Sequence, residues 1–316
     1  MTSGHGHTAV TAAGPRVPGL EVPAGLARDV EGDAEDGAAR RAWLDALPRI
    51  VADLADCWSL RVGRPFEPGG SASWVAPART AAGQRLVLKA GWRHDEAEHE
   101  AAGLRAWDGR GAVRVFRSLL AGDTSALLLE ACEPGTPLER ALPPREQDVV
   151  VAGLLRRLWI DPPAGHPFRP LADMCDRWAT EFERRYAAAR ARGSHELDPG
   201  IARAGIELFR LLPATAGRHV LLCTDLHHGN VLAATREPWL VIDPKPYTGD
   251  PAYDPLQHML NFPGRLTADP GGFAARMAGL LGLDAGRLRS WLFARCVQES
   301  PDWPNLIDIA RRLAPG

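Results

Sequence analysis

The chain has 316 residues, 45% of them hydrophobic and 24% charged, with a formal net charge of -2 from 37 basic and 39 acidic side chains. This balance excludes disorder throughout and supplies no positive field to hold a nucleic-acid backbone, and no apolar run of about 18 residues or basic-then-apolar start predicts a membrane span or an export signal. Five cysteines, Cys57, Cys132, Cys175, Cys223 and Cys296, are odd in number and form no C-x-x-C pair, so neither a disulfide framework nor a zinc ribbon is expected and a reducing cytoplasm fits.

Residues 1–40 are rich in Gly, Ala, Pro and acidic groups without apolar periodicity, which predicts a mobile tail. From Trp43 onward, Leu44, Leu47, Ile50, Val51, Leu54 and Ala55 recur at helical spacing and open a first lobe over 41–132. Apolar runs at 58–66, 74–78 and 86–90, separated by Gly69-Gly70-Ser71 and Ala82-Gly83, read as an antiparallel meander. A helix from about Asp95 to Trp107 and strands at 113–120 and 126–131 complete this lobe. Pro134, Gly135 and Pro137 mark the change to a mostly helical second lobe over 133–316, with helices at 149–159, 171–190 and 201–212. Short strands at 219–222, 230–233 and 239–242 present loops within it. The fold class is α+β: an antiparallel sheet with one helix, followed by a mostly helical lobe.

The chemistry concentrates in Cys223-Thr224-Asp225-Leu226-His227-His228-Gly229-Asn230, where a carboxylate stands five residues before a carboxamide. A kinase catalytic loop uses this spacing to hold a substrate hydroxyl on its Asp and magnesium on its Asn. Asp243, at the end of the apolar run Leu240-Val241-Ile242, offers a second hard oxygen ligand for Mg2+. Upstream, Lys89 ends Leu86-Val87-Leu88, where a buried ammonium needs an anion, and ATP phosphates would provide it. Glu100 falls on the inward stripe of Ala97, Leu104 and Trp107 and is the expected partner of Lys89, with Glu96 or Glu98 also within reach. Ser71 and Ser73, beside Gly69-Gly70, could close over phosphates. Leu129-Glu130-Ala131-Cys132 would form a hinge whose backbone meets the adenine. Each feature also has a plain structural reading: Asp and Asn favour turns, a strand-end lysine snorkels, and Gly-Gly is a common hairpin turn.

The residues Leu88-Lys89, Glu98-His99-Glu100-Ala101, Leu104-Arg105-Ala106-Trp107-Asp108-Gly109, Asp225 to Asn230, Ile242-Asp243-Pro244-Lys245 and Gly249-Asp250-Pro251-Ala252-Tyr253-Asp254 together resemble the aminoglycoside phosphotransferase family. The likeness is nearest to its streptomycin and hydroxyurea kinase branch. The resemblance implies a protein-kinase-like bilobal fold, Asp225 as catalytic base, Asn230 and Asp243 as magnesium ligands, and Lys89 as a phosphate ligand of ATP. It implies transfer of the ATP γ-phosphate to a hydroxyl of a small molecule, such as an aminoglycoside like streptomycin, with resistance by inactivation, or alternatively hydroxyurea or a non-antibiotic metabolite. Three positions depart from the family pattern. Cys223-Thr224 replaces the usual His-Gly before the Asp, and His228 stands where Pro is common. Near the C-terminus, Glu299, Asp302 and Trp303 are expected to line the acceptor site, partly by this resemblance and partly because carboxylates beside a Trp suit a cationic ligand. Two rival readings are a non-catalytic ATP-binding module and a zinc hydrolase using His219, Cys223 and His227 on one helical face. A protein kinase is disfavoured because no Ala-Pro-Glu follows Asp243.

Overall fold

In the computed structural model, which describes residues 20–27, 37–95, 98–193 and 196–315, the apolar stripe near Trp43 lies on α1 (Gly37–Trp58). Trp43, Leu47, Val51, Leu54 and Trp58 recur every three or four residues and are buried, so one face of α1 seals a core. The helix begins six residues before Trp43. The chain divides into two compact units, one comprising residues up to Arg93 with Phe116–Leu129, the other His94–Val115 with Glu130 onward.

The first unit is built on strands β1 (Leu60–Val62), β2 (Ser73–Thr80), β3 (Arg85–Trp92), β4 (Val115–Ala121) and β5 (Thr124–Glu130), in the spatial order β1-β2-β3-β5-β4. In the antiparallel β2–β3 pair, Trp74 faces Ala90, Ala76 faces Leu88 and Ala78 faces Leu86. These six side chains share the core with the α1 stripe. Because successive strand residues alternate faces, Lys89, opposite Val75, points to the other side of the sheet. Most of the predicted tail lies outside the described residues. Of its described residues, 37–40 belong to α1 and 20–27 pack against the sheet: Leu26 is fully buried, Leu20 and Val22 pack on the core, and Trp74 Nε1 donates to Glu21 O at 3.0 Å. Three apolar residues carry this docking, too few to show as periodicity.

The helix expected from Asp95 is α2 (Glu100–Trp107), and it belongs to the second unit. Trp107 Nε1 donates to Leu158 O at 2.8 Å. A Cβ added at Gly103 would come within 2.4 Å of Pro246 Cγ, so glycine permits α2 to lie directly on that segment. Glu96 and Ala97, named above around Lys89, lie outside the described residues.

The rest of the second unit comprises α3 (Leu138–Ala141), α4 (Pro144–Leu158), α5 (Leu171–Ala191), α6 (Pro199–Ala214), α7 (Leu256–Leu260), α8 (Pro263–Ala268), α9 (Pro270–Leu281), α10 (Ala285–Glu299) and α11 (Leu306–Leu313). Aspartates cap three of these helices, with Asp198 accepting from Gly200 N and Ile201 N, Asp269 from Gly272 N and Asp284 from Arg287 N. Helices α6 and α10 approach closely because Gly205 faces Val297. Phe209 and Tyr253 both pack edge-on to Trp291, with centroids 6.0 and 5.1 Å away. Short strands β6 (Arg169–Pro170), β7 (Val220–Leu222), β8 (Val231–Ala233), β9 (Trp239–Val241) and β10 (Tyr247–Gly249) form a three-stranded sheet, β6-β10-β7, and the hairpin β8–β9. No helix among the described residues is long and apolar enough to cross a membrane.

Candidate active site

Two short ladders deliver the loop residues. In the β8–β9 hairpin Val231 faces Val241, and the next rung is made by Ile242 N donating to Asn230 O at 2.9 Å. Asn230 and Asp243 therefore emerge at the same end of one hairpin. In the β7–β10 pair Tyr247 faces Leu222, and Lys245 N extends the ladder to Cys223 O at 2.9 Å. The tripeptide Asp243-Pro244-Lys245 thus crosses from one ladder to the other and brings the two ends of the loop together.

Within the loop, Asn230 Nδ2 donates to Asp225 O at 3.0 Å. This bond commits the amide nitrogen to the loop, so the carboxamide oxygen is the atom that would meet a cation. Asp243 is exposed. Two oxygen donors on neighbouring ladder ends suit Mg2+, which takes few protein ligands and completes its shell with water and phosphate oxygens. Asp225 is largely buried, with its side chain 16% exposed, and its Oδ2 lies 3.3 Å from Lys245 Nζ.

The loop departs from ordinary backbone geometry at two positions, Thr224 with φ 51° and Asp243 with φ 52°. A left-handed conformation is uncommon for Asp and unusual for a β-branched residue. Three hydrogen bonds hold Thr224 there. Asp254 Oδ1 accepts its N–H at 2.6 Å, its Oγ1 donates to Lys245 O at 2.5 Å, and Asp254 Oδ2 accepts the preceding N–H of Cys223 at 3.2 Å. Trp159 Nε1 also donates to Asp254 Oδ2 at 2.9 Å. Asp254 is fully buried, and burial lifts its carboxyl to about 6 against the opposing pull of its three donors. The family's Gly would reach φ near 50° without steric cost, and here fixed hydrogen bonds keep Thr in the same conformation. Cys223 is completely buried, and burial raises its thiol well above the ordinary range, so it is an inert core side chain.

His227 braces the loop from within. Its Nδ1 accepts Gly229 N at 3.1 Å, and a Cβ at Gly229 would meet His227 Cε1 at 2.9 Å. Burial, followed by the neighbouring His228 and His258, lowers the His227 imidazole to about 4, so it stays neutral and accepts this bond. His228, in the position usual for Pro, packs on Phe262 with centroids 4.7 Å apart and places Nε2 3.3 Å from Glu139.

The remaining expected residues are distributed as follows. Lys89 is buried in β3, and Glu100 is buried in the first turn of α2 together with Leu104 and Trp107. Ser71 is exposed, and its carbonyl accepts Arg40 at 2.7 Å, while Ser73 is the first residue of β2. The Gly-rich turn is not loose: Gly25 N donates to Pro68 O at 3.0 Å, and a Cβ at Gly69 would meet Pro23 Cβ at 2.4 Å. The Glu130 carboxylate is gripped by Arg236 at 2.7 and 2.8 Å and accepts Arg114 N at 3.0 Å. Burial lifts the Cys132 thiol to about 12. Glu299 pairs with Arg295 at 2.7 Å, and Asp302 is held by both terminal nitrogens of Arg185. Both carboxylates are thus already paired with an arginine. Trp303 is 60% exposed. The zinc-helix reading fails because Val220–Leu222 is a strand and Asn230 ends a 3-10 turn. Among the described residues no three His, Cys, Asp or Glu side chains converge as a metal site.

The pattern reading assigned no role to Lys245, Asp254 or Arg236. Lys245 and Asp254 stand in conspicuous polar motifs, but their partners lie about twenty to thirty residues away in sequence, and pattern reading does not span that distance. The Asp-plus-Asn loop, the second Asp and the two interlocked ladders form the arrangement that the sequence leads one to expect of a kinase-type phosphotransferase. Residues 61–305 match the aminoglycoside/hydroxyurea antibiotic resistance kinase family, and the chain belongs to it. It is 37% identical over 272 residues to a hydroxyurea phosphotransferase of Kitasatospora aureofaciens, covering 83% of this chain and 74% of that protein. It is 34% identical over 290 residues to a streptomycin 6-kinase of Streptomyces glaucescens, covering 89% and 90%. The fold is shared with choline kinase LicA from Streptococcus pneumoniae, at a TM-score of 0.55 and 12% identity over 84% of this chain and 97% of that one. The protein is a small-molecule kinase with a protein-kinase-like fold.

Proposed function

We propose that this kinase transfers the γ-phosphate of ATP to a hydroxyl of a small, polyhydroxylated antibiotic of the aminoglycoside type, with streptomycin as the first acceptor to test. The observation that carries the catalytic part is the pairing of Asn230 and Asp243 at one hairpin end with Asp225 braced beside them. The choice of acceptor rests on the two relatives named above, whose acceptors are streptomycin and hydroxyurea.

In this reading Asp225 orients the acceptor hydroxyl and takes its proton. The hydroxyl oxygen bonds to the γ-phosphorus as the bond to the β–γ bridging oxygen breaks, and ADP leaves with that electron pair. Mg2+, when bound, neutralises phosphate charge. Asn230 and Asp243 are the residues that would hold it. Lys89 is assigned to the ATP phosphates, with Glu100 in support, and Ser71 and Ser73 border the same nucleotide. The backbone of Glu130 to Cys132 is assigned to the adenine, and the Arg236 clamp on the Glu130 carboxylate supports this by leaving the side chain no other task. On the acceptor side, the segment from Glu299 to Trp303 is assigned to the antibiotic. Purified protein incubated with ATP, Mg2+ and a panel of aminoglycosides, hydroxyurea and simple polyols tests the proposal. Stoichiometric phosphorylation of one aminoglycoside is the expected result.

A further inference from the structure

The β8–β9 hairpin has Asn230 and Asp243 at its open end and Arg236 in the connection between its strands. The five guanidinium N–H groups of Arg236 make five hydrogen bonds. Nε and Nη2 donate to the two carboxylate oxygens of Glu130 at 2.7 and 2.8 Å, and Nη2 also donates to Ala112 O at 3.0 Å. Nη1 donates to Gly109 O at 2.5 Å and to Glu237 at 2.9 Å. The Arg236 side chain is 23% exposed and that of Glu130 16%. The Glu130 carboxylate accepts Arg114 N at 3.0 Å, and Glu130 N donates to Arg114 O at 2.8 Å, so side chain and backbone are fixed together.

The same hairpin holds the chain again just beyond Glu130. Gly135 N donates to Ala233 O at 3.0 Å, Ala233 N donates to Thr136 O at 2.9 Å, and Pro137 bridges to Leu232. Residues 131–134 are therefore strung between two anchors that one hairpin supplies. A two-point guanidinium–carboxylate pair fixes direction as well as distance. Peptide groups that read a purine ring bind it more tightly when their directions are set beforehand. We infer that Arg236 is a positioning residue for the purine end of the nucleotide, holding the backbone of Glu130 to Cys132 in register with Asn230 and Asp243 at the far end of its own hairpin. The inference rests on the assignment of that backbone to adenine made above. Lysine cannot take the place of Arg236, because an ammonium has three donors for the four acceptors on Glu130, Gly109 and Ala112.

The test compares wild type, Arg236→Lys and Glu130→Gln. Thermal melts establish folding, and calorimetry measures binding of two probes that need no acceptor, adenosine and Mg·tripolyphosphate. A crystal structure of wild type with Mg·ADP locates the adenine. Adenosine affinity is expected to fall about tenfold in both variants while Mg·tripolyphosphate affinity stays within about threefold of wild type. With a phosphorylated acceptor, ATP KM should rise about tenfold and kcat should stay within about threefold. A staple that only supports the fold would weaken both probes together. Such a parallel loss would overturn the inference, as would wild-type adenosine affinity in the variants or the failure of both to melt cooperatively. If adenine meets residues 130–132 in the crystal and the variants bind adenosine like wild type, the inference alone fails. If adenine lies elsewhere, or wild type binds Mg·tripolyphosphate but not adenosine, the adenine assignment fails and the inference with it.

Discussion

Asp254, fully buried, takes the backbone N–H of Thr224 at 2.6 Å and so fixes the residue before Asp225 in a left-handed conformation. The family's usual His-Gly is replaced here by Cys-Thr, yet the backbone keeps the turn a glycine would make.

Thr224 is therefore the position where strain and hydrogen bonding oppose each other. Thr224→Gly relieves the positive φ and loses only the Oγ1 bond, so it is expected to stay within about 1 kcal/mol of wild type and to keep turnover. Thr224→Val keeps the branch and loses the hydroxyl, with an expected cost of about 1–3 kcal/mol. Chemical denaturation of both variants checks the order. A Val variant as stable as the Gly variant would remove Oγ1 from the account.

The raised Asp254 carboxyl makes a pH prediction whose sign follows from linkage. Its ordinary value is 3.8 and its folded value about 6, so between those limits the folded chain holds a proton that the unfolded chain has released. This contribution to stability is complete below about pH 4 and is lost as pH rises through 6. Asp254→Asn cannot ionise, so the stability of wild type relative to this variant should fall from pH 5 to pH 7. Urea titrations at pH 5, 6 and 7 give the comparison, and a constant difference would show that the three donors overcome burial.

Asp148 has the opposite sign. It is fully buried, and although burial alone would raise its carboxyl, hydrogen bonds from His258, Arg265 and Arg276 hold it well below the usual carboxylate range. Its stabilisation is present above about pH 4 and is lost as pH falls through and below the ordinary carboxylate range. Asp148→Ala leaves these cationic and polar groups without their shared anion and is expected to cost about 3–5 kcal/mol at neutral pH. The gap to wild type should narrow in acid. Denaturation curves at pH 7 and pH 3.5 check it.

Much of the fold was legible because its signals are local. The α1 stripe, the apolar runs of β2 and β3, the D-x-x-x-x-N spacing and the short strands around it all lie within windows of about twenty residues, where periodicity and turn chemistry operate. What was not legible depends on contacts between distant segments. Residues 20–27 dock through three side chains, α2 belongs with the second unit because Gly103 fits against Pro246, and Asp254 reaches Thr224 from thirty residues away. The arginines that hold Glu299 and Asp302, Arg295 and Arg185, could not be paired with them by spacing alone.

Those arginine pairs sharpen the assignment of the C-terminal segment to the acceptor. If a cationic antibiotic exchanges with Arg185 at Asp302, Arg185→Ala should lower its KM severalfold at low salt, with the effect shrinking as salt rises. Acceptor kinetics of Arg185→Ala beside Asp302→Asn provides the check. Unchanged acceptor KM in both would take this segment out of the site.

In the proposed mechanism Asp225 acts on the acceptor while Asn230 and Asp243 serve the metal. The most direct measurement is kcat together with Mg2+-dependent ADP affinity for Asp225→Asn and Asp243→Ala. Asp225→Asn should bind nucleotide nearly as wild type and turn over at least about 10²-fold more slowly, whereas Asp243→Ala should lose the Mg2+-dependent part of nucleotide binding. Full turnover by Asp225→Asn, or unchanged Mg2+-dependent binding by Asp243→Ala, would contradict it.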